Sequence, residues 1–292
     1  MGRHTITMEP KKRWKKVLYE DQGVPDNYVD ESFLDEMQKN VHIRTYHYWS
    51  VVQESGVVTQ QICSVCLFVA MFLFMDDKVL SPKVLFCVSS FLTIIGYCIH
   101  ELLEYMEEDS DNMQTRTGWS AMKTVLMFVA FSYGLSPILM TLTDTISTDT
   151  VYAMTAAMLL ANLLFHDYGA DAAVVSGALS LNAAIFASVC LASRLHTTWH
   201  AFTTVTLAVE VFALWPVLRR KLKVKVKHSQ LVLTIILTLV TVVTIATLST
   251  VAAVLLTLLY VFITFVCPAW LISLQPYKNN IYGPWDEAEI KD

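Results

Sequence analysis

The residues best suited to chemistry crowd into one short stretch, Phe165-His166-Asp167-Tyr168-Gly169-Ala170-Asp171. A carboxylate accepts hydrogen bonds, a phenol donates and accepts, and an imidazole can do either. His166, Asp167, Tyr168 and Asp171 could therefore hold the hydroxyls of an inositol or another polyol headgroup. The same stretch also reads as a tight loop, in which Gly169 permits the turn and Asp171 caps the helix that follows. Two other patterns carry less. Asp109-Ser110-Asp111 has the D-x-D form that can hold a divalent metal and a nucleotide diphosphate, but it sits in the acidic run 104–111, where such triplets arise by chance. Cys63 and Cys66 share a helical face. A redox or zinc site would need a polar, accessible setting and further ligands, so they read as small buried side chains.

Three residues stand out because their surroundings are apolar. Glu210 is a carboxylate in the middle of such a stretch, a placement that costs about 2.5–3.5 kcal/mol on insertion scales. It is either a proton relay or ligand contact, or a neutral carboxyl bonded to a neighbouring helix. Asn182 is expected to bond across helices. Pro137, in Gly134-Leu135-Ser136-Pro137, should kink its helix and free a backbone carbonyl. No catalytic residue, metal or cofactor is expected in this chain. It has no soluble α/β domain, no Gly-rich phosphate loop after a strand and no basic grip for a diphosphate.

The elements that must position these residues are membrane helices. Of the 292 residues, 54% are hydrophobic and 16% charged, with a mean hydropathy of +0.47. The charged fraction is well below the globular average, and the distribution is decisive. Residues 56–75, 84–99, 124–143, 150–165 and 172–193 are free of charge, as is the long run 229–277, and 199–218 holds only Glu210. A helix crosses the hydrocarbon core with about 20 residues. The run 229–277 must therefore turn back once, near Leu248-Ser249-Thr250. Eight spans follow: 57–75, 82–100, 121–141, 150–166, 171–192, 199–218, 229–248 and 251–274. They are apolar all round, which suits an all-α bundle in lipid and not the alternation of barrel strands. The fifth is rich in Ala, Ser and Gly, so it should pack closely at the bundle centre. No charged stripe lines the spans, which argues against an ion channel.

Positive charge sets the orientation. Arg3, Lys11, Lys12, Arg13, Lys15 and Lys16 precede the first span, and Arg219, Arg220, Lys221, Lys223, Lys225 and Lys227 follow the sixth. Short basic loops stay in the cytosol. An even number of spans separates the clusters, so both chain ends are expected on the cytosolic side. The lumenal loops are poor in basic residues, with Lys78 and Lys83 in the first, none in 142–149 and Arg194 in the third. The N-terminal segment lacks the pattern of a signal peptide, so the first span should serve as the insertion signal. The organisation expected is a cytosolic segment at 1–55, a bundle at 56–275 and a cytosolic tail at 276–292. In the first segment Pro25-Asp26-Asn27 reads as a turn. Asp30 or Ser32 could cap an amphipathic helix over about 31–54, with Phe33, Met37, Val41 and Tyr48 roughly on one face.

Longer stretches resemble a known family. Lys16-Val17-Leu18-Tyr19-Glu20, Pro25-Asp26-Asn27-Tyr28-Val29-Asp30 and Tyr133-Gly134-Leu135-Ser136-Pro137-Ile138-Leu139 are similar to the family of C subunits of phosphatidylinositol N-acetylglucosaminyltransferase. So are 147–154, Phe165-His166-Asp167-Tyr168-Gly169-Ala170, Ser180-Leu181-Asn182, 184–195 and the tail Gly283-Pro284-Trp285-Asp286-Glu287-Ala288-Glu289-Ile290. The resemblance runs from about residue 14 to the C-terminus. It is weakest in the acidic loop and the last two spans, and Glu210 is no part of it.

The resemblance implies a multi-pass protein of the endoplasmic reticulum membrane. It implies membership of the complex that starts glycosylphosphatidylinositol (GPI) anchors by moving N-acetylglucosamine from UDP-N-acetylglucosamine (UDP-GlcNAc) to phosphatidylinositol at the cytosolic face. The A subunit carries the chemistry there, beside the H, P, Q and Y subunits and a regulatory subunit of dolichol-phosphate-mannose synthase. By its own residues, this chain has no room for a nucleotide sugar and no nucleic-acid surface. Its expected work is to scaffold the catalytic partner and present the lipid, with inositol near His166–Asp171 and hydrogen-bonded by Asp167 and Tyr168. Two other classes compete: a lipid transporter or scramblase, which needs a polar path through the bundle, and a membrane-embedded transferase acting alone.

Overall fold

The computed structural model describes residues 23, 38–39, 46–105, 118–143, 145–169, 176–226, 228–277 and 281–282. Their contacts divide the chain into two units, one formed by Met1–Tyr46 with Ile272–Asp292 and the other by His47–Leu271. In the first unit, strand β1 (Gln38–Lys39) pairs antiparallel with β2 (Ile281–Tyr282). This corrects the expectation of a helix running from 31 to 54. The backbone groups of 38–39 are claimed by a segment more than two hundred residues away, which no local periodicity can reveal. The turn at 25–27, its capping residues, the D-x-D triplet, the N-terminal basic cluster and the tail at 283–290 lie outside the described residues.

The second unit is helical throughout its regular elements. Helix α1 spans Tyr48–Asp76, α2 Pro82–Tyr105, α3 Gly118–Thr141, α4 Thr148–Phe165 and α5 Gly177–Ala192. Helix α6 (Thr198–Val209) passes through a π-helical turn at Glu210–Leu214 into α7 (Trp215–Lys225). Helix α8 spans Ser229–Leu248, and α9 (Thr250–Val261) continues through a second π segment into α10 (Cys267–Leu274). Six stretches are long and apolar enough to cross a membrane: Tyr48–Asp76, Pro82–Glu104, Thr148–Phe165, Thr198–Lys225, Ser229–Leu248 and Thr250–Tyr277. Met127–Thr141 and Gly177–Ala192 are apolar but shorter.

The breaks have local causes. After α1 the amides of Val79 and Leu80 both reach back to the Phe74 carbonyl, at 2.9 and 3.0 Å, with Lys78 at a left-handed φ of 58°. Pro82 then opens α2, at a position where its missing N–H costs nothing. Ser147, Ser176 and Thr197 cap α4, α5 and α6 by accepting the amides of Thr150, Leu179 and His200. Ser249 ends α8 in an extended conformation and caps α9 through the Ala252 amide. The long apolar run thus turns back at the expected place, and α8 packs against α9.

Small residues bring α5 close to its neighbours. Ser180, Ala183, Ala184, Ala187 and Ser188 are all buried, and α5 packs along α4 and against α6. In lipid, where burial of apolar area gives little drive, such close packing and interhelical hydrogen bonds hold helices together. Phe68, Phe72 and Met75 of α1 meet Leu159 of α4, Leu191 of α5 and Phe212. The Phe68 and Phe212 rings meet edge to face at 5.4 Å. Half of the most apolar window of α1 is buried, against 6% for that of α8. Helix α1 is therefore central, and α8 offers most of its surface to whatever surrounds the bundle.

Candidate functional site

The loop after α4 folds onto its own helix. His166 leaves the helix in an extended conformation. Tyr168 donates its hydroxyl to the Leu163 carbonyl at 2.6 Å, satisfying one of the open carbonyls of the last turn. Asp167 Oδ1 accepts the Gly169 amide at 2.8 Å, and Gly169 holds a φ of +86° that glycine adopts without penalty. The expected turn role of Gly169 is thus present. The expected cap of α5 is Ser176 instead, and Asp171 lies outside the described residues.

The side chains of this loop meet a helix. His166 is buried, and its Nε2 lies 2.9 Å from Arg219 Nη2. Burial, then the Arg219 and Arg220 charges, push its pKa down to about 4. The imidazole is therefore neutral near pH 7 and accepts from the guanidinium. Burial pushes the Tyr168 phenol up to about 12, so it is a neutral donor. Asp167 Oδ2 pairs with Arg220 Nη2 at 2.9 Å. The basic cluster that reads as a loop in the sequence is in fact the continuation of the sixth span, since α7 runs to Lys225. On this helix Arg219 turns inward while Arg220 beside it stays exposed.

Helices α1 and α8 form the opposite wall. Gln60 is fully buried, and its Nε2 donates to the Gln230 carbonyl (3.1 Å) and to Thr234 Oγ1 (2.8 Å). Lys223 Nζ pairs with Glu54 Oε2 at 2.7 Å. Between the walls lies a cavity of ≈160 Å³ lined by Val57, Gln60, Asp167, Tyr168, Gly169, Arg219, Arg220, Lys223 and Gln230. A shallower groove of ≈380 Å³ runs past His100, Val217, Arg220, Lys221, Val224 and Lys225. His100, Glu101 and Glu104 have the residue types of a metal site. The Lys221 ammonium already sits there, 3.1 Å from Glu104 Oε2 and 3.4 Å from His100 Nε2.

The polar residues inside the bundle are redistributed relative to expectation. Asn182 is exposed and makes no interhelical hydrogen bond among the described residues. Asn162 does: its Oδ1 accepts from Gln61 Nε2 at 3.0 Å, and its Nδ2 donates to the Ser180 carbonyl and hydroxyl, both at 2.9 Å. Glu210 opens the π-helical turn, facing the hydroxyls of Ser89 and Thr93 on α2, and its buried Oε2 has no partner among the described residues. Pro137 lies inside α3, which continues to Thr141. Cys63 is buried and donates its thiol to the Tyr260 hydroxyl at 3.2 Å, and Cys66 is a free thiol. At the other end of α5, Arg194 Nη2 reaches the carbonyls of Thr143 (2.7 Å) and Ile146 (2.8 Å) and clasps the corner between α3 and α4.

These features define a class: a multi-pass helical membrane protein with a basic polar cavity at one end of its bundle. A family model described as phosphatidylinositol N-acetylglucosaminyltransferase matches residues 14–286. The chain is 50% identical over 287 residues to the C subunit of human phosphatidylinositol N-acetylglucosaminyltransferase, covering 98% of this chain and 96% of that one. It is 49% identical to the mouse protein of the same name, with the same coverage. The GPI2 subunit of the Schizosaccharomyces pombe transferase is 36% identical over 286 residues, covering 96% of this chain and 88% of that one. The chain belongs to this family. No solved structure matches it.

Proposed function

We propose that this chain is the non-catalytic membrane subunit of the complex that transfers N-acetylglucosamine from UDP-GlcNAc to phosphatidylinositol, the first step of GPI-anchor synthesis. It scaffolds the catalytic partner and presents the acceptor lipid. The observation that carries the second role is the cavity between the Asp167–Gly169 loop and the basic helix α7. It brings cations and a carboxylate to a bundle end, where a headgroup sits while its tails lie against apolar helices.

The orientation rests on charge and span count. The six long stretches and the two shorter ones, read as eight crossings, together with the basic clusters support a cytosolic side for both termini and the cavity. A segment at 1–55 and a tail at 276–292 flank the bundle at 56–275. The family resemblance, not charge or span count, implies the endoplasmic reticulum membrane and, as partners, the A, H, P, Q and Y subunits with the regulatory subunit of dolichol-phosphate-mannose synthase. Tyr168 lines the pocket with its hydroxyl already given to the Leu163 carbonyl, and His166 supports it from behind through Nε2 on Arg219.

The test is transfer of radiolabelled N-acetylglucosamine to phosphatidylinositol in membranes lacking the chain, before and after it is restored. Loss and rescue are expected, and unchanged transfer without the chain sinks the reading. Asp167→Asn removes the charge facing Arg220 and should weaken lipid use while the complex still assembles. Normal activity in that assembled variant removes Asp167 from the lipid site.

A further inference from the structure

Arg219 is 4% exposed, and among the described residues no carboxylate pairs with it. One guanidinium nitrogen, Nη2, meets the uncharged His166 ring, while Nη1 is buried with no partner among the described residues. Two carboxylates near it among the described residues are engaged elsewhere, Asp167 with Arg220 and the Gly169 amide, and Glu54 with Lys223. A buried cation is strongly unfavourable unless an anion meets it, so this guanidinium suits an anionic ligand. On the facing wall, Gln60 spends its Nε2 on Gln230 and Thr234, and its buried Oε1 has no partner among the described residues. Both residues line the same cavity. Its ≈160 Å³ is about ten times what one water needs, enough for a phosphate group.

The two open atoms ask for different chemistry. Arg219 Nη1 can only donate, and prefers an anionic oxygen. Gln60 Oε1 can only accept, and wants a hydroxyl. We infer that the cavity takes a phosphodiester joined to a polyol, with a phosphate oxygen on Arg219 and a polyol hydroxyl on Gln60. This rests on the reading that the chain presents the acceptor lipid, and adds which atoms recognise it. Asp167 then acts by holding Arg220 in place, not by touching the ring. Phosphatidylcholine carries the same anionic phosphodiester, which can meet Arg219, but its choline has no hydroxyl for Gln60, so the polyol contact is what favours phosphatidylinositol. The same chemistry belongs to a membrane lipid or to a soluble polyol phosphate.

The experiment uses the assembled complex in phosphatidylcholine nanodiscs, with the rise in melting temperature as the measure of binding. The probes are phosphatidylinositol, glycerophosphoinositol and inorganic phosphate. Phosphatidylinositol should stabilise the native complex, and glycerophosphoinositol should compete with it. Arg219→Gln should weaken that binding about tenfold to a hundredfold, the worth of one hydrogen bond to a charged partner. It should raise KM for phosphatidylinositol and leave KM for UDP-GlcNAc unchanged. If that variant fails to assemble, Arg219→Lys keeps the charge and stem but loses the fork, and about a tenfold loss is expected. Native binding with equal affinity in the assembled Arg219 variants overturns this inference and leaves the lipid-presenting role standing. Absence of any preference for phosphatidylinositol over phosphatidylcholine in the native complex overturns both. Tight binding of inorganic phosphate that phosphatidylinositol cannot displace identifies an aqueous anion as the ligand and also overturns the inference.

Discussion

The side-chain amide of Asn162 on α4 donates to both the carbonyl and the hydroxyl of Ser180 on α5, each at 2.9 Å, and Ser180 Oγ donates back to the Asn162 carbonyl at 3.0 Å. Gln61 of α1 completes the triad. Three helices are thus pinned at one level by fully or nearly fully buried polar groups. Asn162→Leu leaves the Gln61 amide without its acceptor and takes the side-chain donor from Ser180, whose hydroxyl keeps its bond to the backbone carbonyl of residue 162, at a cost of about 1–3 kcal/mol. The melting temperature of the complex should fall accordingly. The double variant Gln61→Leu, Asn162→Leu should recover part of the loss, because removing both partners leaves fewer orphaned groups.

Gly56 allows α1 to approach α8. A Cβ built there meets Thr234 Oγ1 at 2.8 Å, and that hydroxyl is itself held by Gln60. Gly56→Val should force the helices apart, costing about 1–3 kcal/mol, and loosen the cavity wall that Gln60 forms. Lower abundance of the complex together with a higher KM for phosphatidylinositol is the expected pattern. Unaltered abundance and KM would show that α8 yields freely.

The neutral state of His166 predicts a pH dependence. Its folded pKa of about 4 lies below the ordinary histidine value of 6.5. Between these two values the unfolded chain takes up a proton that the folded one refuses. Stability from this group is complete above about pH 6.5, falls as the pH drops towards 4, and then levels off. Melting curves from pH 7 to pH 4.5 should show this loss in the native protein. His166→Gln, which cannot titrate but can still accept from Arg219, should lose less over the same range.

Arg194 works at the opposite end of α5 from the cavity. Its Nη2 bonds to Thr143 and Ile146 tie the α3–α4 corner to α5. Arg194→Ala should destabilise the chain by about 1–3 kcal/mol through orphaned carbonyls, and leave KM for phosphatidylinositol unchanged. A change in that KM with normal abundance would link the two ends of the bundle.

The helices are legible wherever a charge-free run is long. Helix α4, expected at 150–166, spans Thr148–Phe165, and the reversal at Ser249 follows from a single break in a long apolar run. The polar contacts are less legible, because hydropathy says that a residue is in the span and not which face it takes. Asn182 and Asn162 look alike in sequence, and only the packing of α4 on α5 decides which one is inside. Arg219 escapes notice for another reason. Its positive neighbours mark the end of a membrane span, but hydrogen bonding carries the helix beyond the hydrocarbon limit. The strand at 38–39 depends on a distant partner and leaves no local trace.

The π-helical turn at Glu210–Leu214 holds one residue more than an α-helix would. At 3.6 residues per turn, one extra residue rotates everything after it by about 100°. The direction in which α7 points Arg219 is therefore a matter of phase, set near the middle of the span and read out further along the same helix. Deleting a single residue from Glu210–Leu214 would swing the arginine away from the cavity and bring a neighbouring side chain round in its place. The span would keep its composition and its hydropathy. The site at its end would have different chemistry.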